Sequence, residues 1–166
     1  MTHTMQTWQN YEEVARAVLH NLRQHLGIAD VTGYKDLPGN SGTSWRVEGT
    51  ATKTDDGGLL IIECRRHTSQ GLSQESLGGL AFRITDTNGV GGIIVTPLAL
   101  QKGAELVANS QNIAHVRLEP WSTSENYLAE FMGTHFHHVT EHVGITFSEK
   151  LTVRVIRDGK VIDEGT

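Results

Sequence analysis

Two glutamates, Glu48 and Glu63, stand fifteen residues apart on either side of a turn signal, and Arg65 follows the second by two. Two carboxylates aimed at one point, completed by a backbone carbonyl and waters, make a hard oxygen site suited to Mg²⁺ or Mn²⁺. A cation there, beside a guanidinium, would polarise a phosphoryl oxygen and activate water while the arginine steadied charge on the phosphate. The chemistry these residue types suggest is therefore metal-assisted phosphodiester hydrolysis.

That chemistry depends on how the chain positions the two carboxylates. Residues 44–52 and 59–65 read as strands, and the Thr54-Asp55-Asp56-Gly57-Gly58 link carries an Asp-Gly step typical of a hairpin. A turn centred between Asp56 and Gly57 sets Glu48 opposite Arg65 and Thr50 opposite Glu63. One face then holds Arg46, Glu48, Thr50, Thr52, Ile61, Glu63 and Arg65, and the more apolar face holds Trp45, Val47, Gly49, Ala51, Leu60, Ile62 and Cys64. Glu48 and Glu63 become diagonal neighbours with backbones roughly 7–8 Å apart. A slip of one residue would separate them onto opposite faces. The plainer reading is a half-exposed hairpin with a weak Glu48–Arg65 surface pair. Against it stands the continuous apolar run Leu59–Ile62, which marks a central strand with Glu63 at its end, where α/β sheets commonly place sites.

The remaining elements are legible from periodicity. Tyr11, Val14, Val18, Leu22 and Leu26 predict a helix over 11–26, with Asn10 and Glu13 as a capping box and Gly27 as the stop. Residues 37–44 read as a loop. A helix over 76–85, a strand over 92–96, a helix over 98–109 and a strand over 113–118 follow. This alternation implies parallel strands joined by crossover helices. The expected fold class is α/β: a mixed central sheet flanked by helices, with a C-terminal hairpin extension. Residues 1–120 form the expected domain and 121–166 an extension packed on it. Within the extension, Ser124 to Met132 reads as a helix, and Leu151–Ile156 and Lys160–Asp163 flank Arg157-Asp158-Gly159 as a hairpin.

Val47-Glu48-Gly49-Thr50-Ala51 followed by Leu60-Ile61-Ile62-Glu63-Cys64-Arg65-Arg66 resembles the acidic-residue and E-x-K core of the PD-(D/E)XK nucleases, in the flavour of the Mrr-like restriction endonucleases. The pattern continues through Gly91–Thr96 and Gly103–Asn109 and spans roughly residues 8–118. The resemblance implies a restriction-endonuclease-like fold and a Mg²⁺-dependent endonuclease acting on DNA. It implies Glu48 at the metal-binding aspartate position, Glu63 as the second ligand with the Cys64 carbonyl beside it, and Arg65 at the lysine position. Glu12 or Glu13 matches the assisting glutamate of the first helix, and Gln70 the polar residue beyond the core strand. Two departures matter physically. Glu48 is one methylene longer than aspartate, and Arg65 stays charged and so cannot serve as a base, as lysine can. The alternative is a catalytically inactive nuclease-fold protein acting as a DNA-binding or assembly module. Cleavage of both strands calls for two active sites, which favours a homodimer.

Other features are less specific. His135, His137, His138 and His142 cluster, but with no cysteine pattern for zinc. Gly78-Gly79 inside a helix reads as a device for close packing on the sheet. Arg65, Arg66, His67, Arg83 and Lys102 could supply a local basic surface, while Trp8, Trp45 and Trp121 read as packing residues. Of the 166 residues 37% are apolar, enough for one core, and the net charge of −5 argues against strong nonspecific DNA binding. The single cysteine, Cys64, fits a reducing, cytoplasmic setting. Neither a secretory signal at Met1–Asn10 nor a membrane span is expected.

Overall fold

The computed structural model describes residues 3–66, 69–120, 127–132, 142–147, 151–157 and 160–165. Helix α1 (His3–Asn21) and a single turn, α2 (Arg23–Leu26), replace the one helix expected over 11–26. The helix begins well before Asn10, so the Asn10–Glu13 pair lies inside it and caps nothing. Gly27 does end this segment, at φ 62°, and its amide reaches back to the carbonyls of Arg23 and Gln24. Tyr11, Ala15, Val18, Leu19, Leu22 and Leu26 are buried along one stripe. The Tyr11 hydroxyl donates to the Leu118 carbonyl at 3.1 Å, tying the helix to a distant strand.

Two strands absent from the sequence reading come next, β1 (Ile28–Thr32) and β2 (Lys35–Pro38). They draw too little on apolar alternation to be seen: Lys35-Asp36-Leu37-Pro38 buries only Leu37. The first arm of the expected hairpin is broken at Glu48 into β3 (Ser44–Val47) and β4 (Gly49–Lys53). β3 pairs with β2, while β4 pairs with β1 on one side and with β5 (Leu59–Cys64) on the other. The chain then runs through α3 (Gln74–Asp86), β6 (Gly91–Thr96), α4 (Lys102–Ser110) and β7 (Ile113–Pro120).

Strands β5, β6 and β7 are parallel neighbours, as the alternation predicted. The core is thus an α/β mixed sheet in the order β1-β4-β5-β6-β7, with helices on both faces. Past β7 the sheet continues antiparallel through β8 (Tyr127–Met132), β9 (His142–Phe147), β10 (Leu151–Arg157) and β11 (Lys160–Gly165). The helix expected over 124–132 is replaced from Tyr127 by strand β8, which pairs with β7 through six residue pairs. Neighbouring-strand hydrogen bonds here outweigh local preference. The terminal hairpin is present, with Arg157 opposite Lys160.

Two apolar clusters fill the faces. Leu60, Ile62, Cys64, Ile93, Val95, Ala114 and Val116 pack against α1. Val47, Ile61, Ile94 and Ile113 pack against α3 and α4 through Leu77, Leu80, Ile84, Ala104 and Ala108. Helix α3 is capped by Ser73, whose hydroxyl accepts from the Ser76 amide. No helix among the described residues is long and apolar enough to cross a membrane.

Candidate functional site

The break at Glu48 has a local cause. β1 carries a bulge between Ala29 and Thr32, with Asp30 at φ 49°. The bulge brings the Thr32 carbonyl so close to Gly49 that a Cβ there would lie 2.6 Å from it. Glycine at 49 therefore permits β1 to reach β4, and the chain bends at the preceding residue.

The register also differs from the expectation. Gly49 lies opposite Ile62 and Thr50 opposite Ile61, where the expectation set Thr50 opposite Glu63. The offset is two residues, not one, so the period of two still keeps Thr50 and Ile61 on one face, while Glu48 falls at the break outside the paired residues. The expectation fails for Val47. The bend rotates β3 out of the hairpin, and Val47 packs with Ile61 against α3 instead of sharing a face with Ala51.

Glu63 is 6% exposed, at the end of a strand that is otherwise apolar. One oxygen meets Arg65 Nη2 at 2.6 Å and the other meets Arg83 Nη1. Arg65 lies past the strand end, but its amide still donates to the Val95 carbonyl at 2.8 Å, which continues the ladder and keeps its side chain on the Glu63 side. Arg83 comes from α3, one turn beyond buried Leu80. That i, i+3 spacing is the sequence signal for an inward-facing side chain, where the expectation set Arg83 in a local basic surface with Arg65, Arg66, His67 and Lys102.

Glu48 accepts a hydrogen bond from the Cys64 amide. It is the Cys64 N–H, not its carbonyl, that meets this carboxylate. Burial pushes the Glu48 carboxyl up to about 7. The Cys64 N–H pulls it back, while Glu63 and Glu12 raise it further and Arg65 lowers it. Burial likewise pushes the Cys64 thiol up, with Glu48 adding to it. Glu12, on α1, accepts from the hydroxyl of Tyr34, whose pKa is raised mainly by desolvation. Glu13 is exposed, and Gln70 is exposed beyond the end of β5.

The fold thus brings Glu12, Glu48, Glu63 and Arg65 within electrostatic range at one end of the sheet, and adds Arg83. Among the described residues, no three Asp, Glu, His or Cys side chains are placed to share an ion. Mg²⁺ does not require such a cage: it commonly binds through one or two carboxylates, waters and substrate phosphate. Two carboxylates within electrostatic range of each other, Glu48 desolvated beside like charges, fit that donor set. His67, Trp121 and His135–His138 lie outside the described residues, and the side chains of Trp8 and His142 are likewise undescribed.

No family model and no curated protein sequence matches the chain. Among solved structures, the chain is similar to a protein of unknown function, AF1548, with a TM-score of 0.50 and 21% identity over 63% of this chain and 56% of that one. It also overlaps a repair endonuclease from Pyrococcus abyssi, with a TM-score of 0.44 and 20% identity over 65% of this chain and 46% of that one. The chain therefore spans about half the length of each. The first likeness is one of fold alone, and the second is too partial to carry an argument.

Proposed function

We propose that this chain is a Mg²⁺- or Mn²⁺-dependent DNA endonuclease of restriction-endonuclease type. The observation that carries the reading is that Glu48, Glu63, Glu12 and Arg65 come within electrostatic range of one another at one end of the sheet, with Arg65 paired to Glu63. Glu48 and Glu63 would hold the cation, and the Cys64 backbone would lie beside it. When bound, the cation supplies Lewis acidity toward a phosphoryl oxygen.

The residues of the chain do the rest. Arg65 is half exposed, so its guanidinium can leave Glu63 and offer paired N–H donors to a phosphate. Arg83, more buried, stays on Glu63 and fixes its orientation. Without a cation the Glu48 carboxyl holds a proton about half the time near neutrality, and a neighbouring positive charge favours its ionised form. Glu12 adds negative charge from α1. DNA is the partner this reading requires, and a homodimer would allow both strands to be cut.

A second reading rests on a specific observation. Both Glu63 oxygens are already engaged by arginines, an arrangement that competes with a metal and suits a non-catalytic DNA-binding or assembly module. Plasmid nicking separates the two. The nuclease reading expects Mn²⁺- or Mg²⁺-dependent nicking that falls at least a hundredfold in Glu63→Gln and in Glu48→Gln. It also expects metal to raise the melting temperature of the wild type and of neither variant. Nicking unchanged in both variants would assign any cleavage elsewhere, and no nicking together with no metal-induced thermal shift would favour the module.

A further inference from the structure

A cavity of about 280 Å³ opens between α3 and the β3–β5 side of the sheet, and Glu63 and Arg65 form part of its wall. Trp45, Phe82 and Arg83 line it as well. Phe82 is 56% exposed, so its ring is open to a ligand at the mouth of the cavity. The two rings meet edge to face, with centroids 6.1 Å apart and planes at 71°. Trp45 is not free to turn. Its Nε1 donates to Asp86 Oδ2 at 2.7 Å, and the same carboxylate accepts from the Ser41 amide and hydroxyl. The Arg83 guanidinium sits 5.2 Å from the Trp45 ring centroid, and its buried Nε is without a hydrogen-bond partner among the described residues.

Gly79 forms another part of the wall and gives the cavity its meaning. Glycine inside a helix costs about 1 kcal/mol relative to alanine, so one that persists usually answers a steric need. Here there is none. A Cβ at Gly78 or at Gly79 would meet nothing within 4 Å, and neither residue has a positive φ. The expectation that these glycines let α3 pack closely on the sheet is therefore wrong. At 79 that open space borders the cavity, on whose wall Gly79 lies.

We infer that this cavity receives a single unstacked nucleobase of single-stranded DNA. The volume lies at the small end of ligand pockets, about 300 Å³ and upward, which suits one base and not a larger cofactor. A base has a flat apolar face for Phe82 and Trp45 on the cavity wall. Half-exposed Arg65 stands on the same wall, where the phosphate of that nucleotide would lie beside Glu63. A duplex keeps its bases stacked and cannot fill the pocket without extruding one. The inference deepens the nuclease reading by naming the strand state at the same site, and it rests on that reading for the identity of the ligand.

The test uses the full chain in EDTA, so that binding is read without cleavage. The probes are a single-stranded oligonucleotide carrying one 2-aminopurine and the same sequence as a duplex. Wild type should bind the single strand at least tenfold more tightly than the duplex and change the 2-aminopurine emission. Gly79→Leu, which fills the cavity, should weaken single-strand binding about tenfold or more, and Phe82→Ala about tenfold. Gly78→Leu makes the same chemical change one residue away, outside the cavity, and should bind as wild type does. Thermal melts establish that both leucine variants are folded. Equal binding by wild type and folded Gly79→Leu, or a preference for duplex, would overturn the inference. Metal-dependent nicking retained alongside cavity-independent binding would leave the nuclease reading standing and sink this one. Cavity-dependent binding with no nicking under any metal would do the reverse.

Discussion

The two faces of the central sheet are built from the same strands and yet do different things. Toward α1, strands β5, β6 and β7 present Leu60, Ile62, Cys64, Ile93, Val95, Ala114, Val116 and Leu118, an unbroken apolar surface. Toward α3 and α4 the same strands present Ile61, Ile94 and Ile113, then turn polar at their carboxyl ends with Glu63, Thr96 and His115. Strand alternation allows one sequence to serve both surfaces. On the second, the buried polar side chains are held by partners: Glu63 has two arginines, Asp86 has Trp45 and Ser41, and Thr96 has His115, while the Arg83 Nε has none among the described residues. The Thr96 hydroxyl donates to the Leu98 carbonyl, so it accepts from His115, which fixes the proton on Nε2 of that imidazole.

The comparison breaks most visibly at Glu63. Glu63→Ala strands Arg83 in the interior and should cost about 3–5 kcal/mol in denaturant unfolding. Replacing Glu63 and Arg83 together by methionine should recover most of that loss; a double variant as unstable as the single would mean the face is not organised around this pair. On the opposite face Leu60→Ala, at a position with no exposure, should cost about 2–5 kcal/mol through the cavity it leaves. No second substitution of the kind used at Glu63 should rescue it.

The next effect is one of pH. Burial, with Arg117 adding to it, pushes His115 down to about 4. Between pH 6.5 and 4 the unfolded chain binds a proton that the folded chain refuses, so this group withdraws stability as pH falls. Glu48 acts in the other direction. Its folded value of about 7 exceeds its ordinary 4.5, so its contribution is lost as pH rises from 4.5 to 7. Each tilt is at most about 2–3 kcal/mol. His115→Gln should therefore make the protein gain stability on acidification from pH 7 to 5 relative to wild type, and Glu48→Gln should make it lose stability. Parallel stability profiles for the two variants would show that the groups are not buried as described. The smallest effect concerns α3. Gly78→Ala, with open space around the new methyl, should raise stability by about 1 kcal/mol in chemical denaturation.

Much of this architecture was legible in the chain. The apolar run at Leu59–Ile62, the Asp-Gly turn and the alternating segments after it predicted a mixed sheet with parallel central strands, because hydrophobic period reports which surface an element buries. The same period raised the expectation that Glu48 and Glu63 share a face. The pairing partner of Glu63 was not legible, since the register depends on where β1 bulges and on the contact at Gly49. Residues 35–38 gave no signal because a short edge strand is held by backbone hydrogen bonds to β3 rather than by buried side chains.

Sequence alone thus determined the alternation of the strands after the turn and which strands lie at the centre, both of which follow from periodicity along the chain. Only the tertiary structure decided that Glu63 would be held by Arg65 and Arg83, that Asp86 would fix Trp45, and that Gly79 would open onto a cavity. Those contacts join residues far apart in sequence, and their geometry is set by how α3 lies on the sheet, which no local pattern specifies.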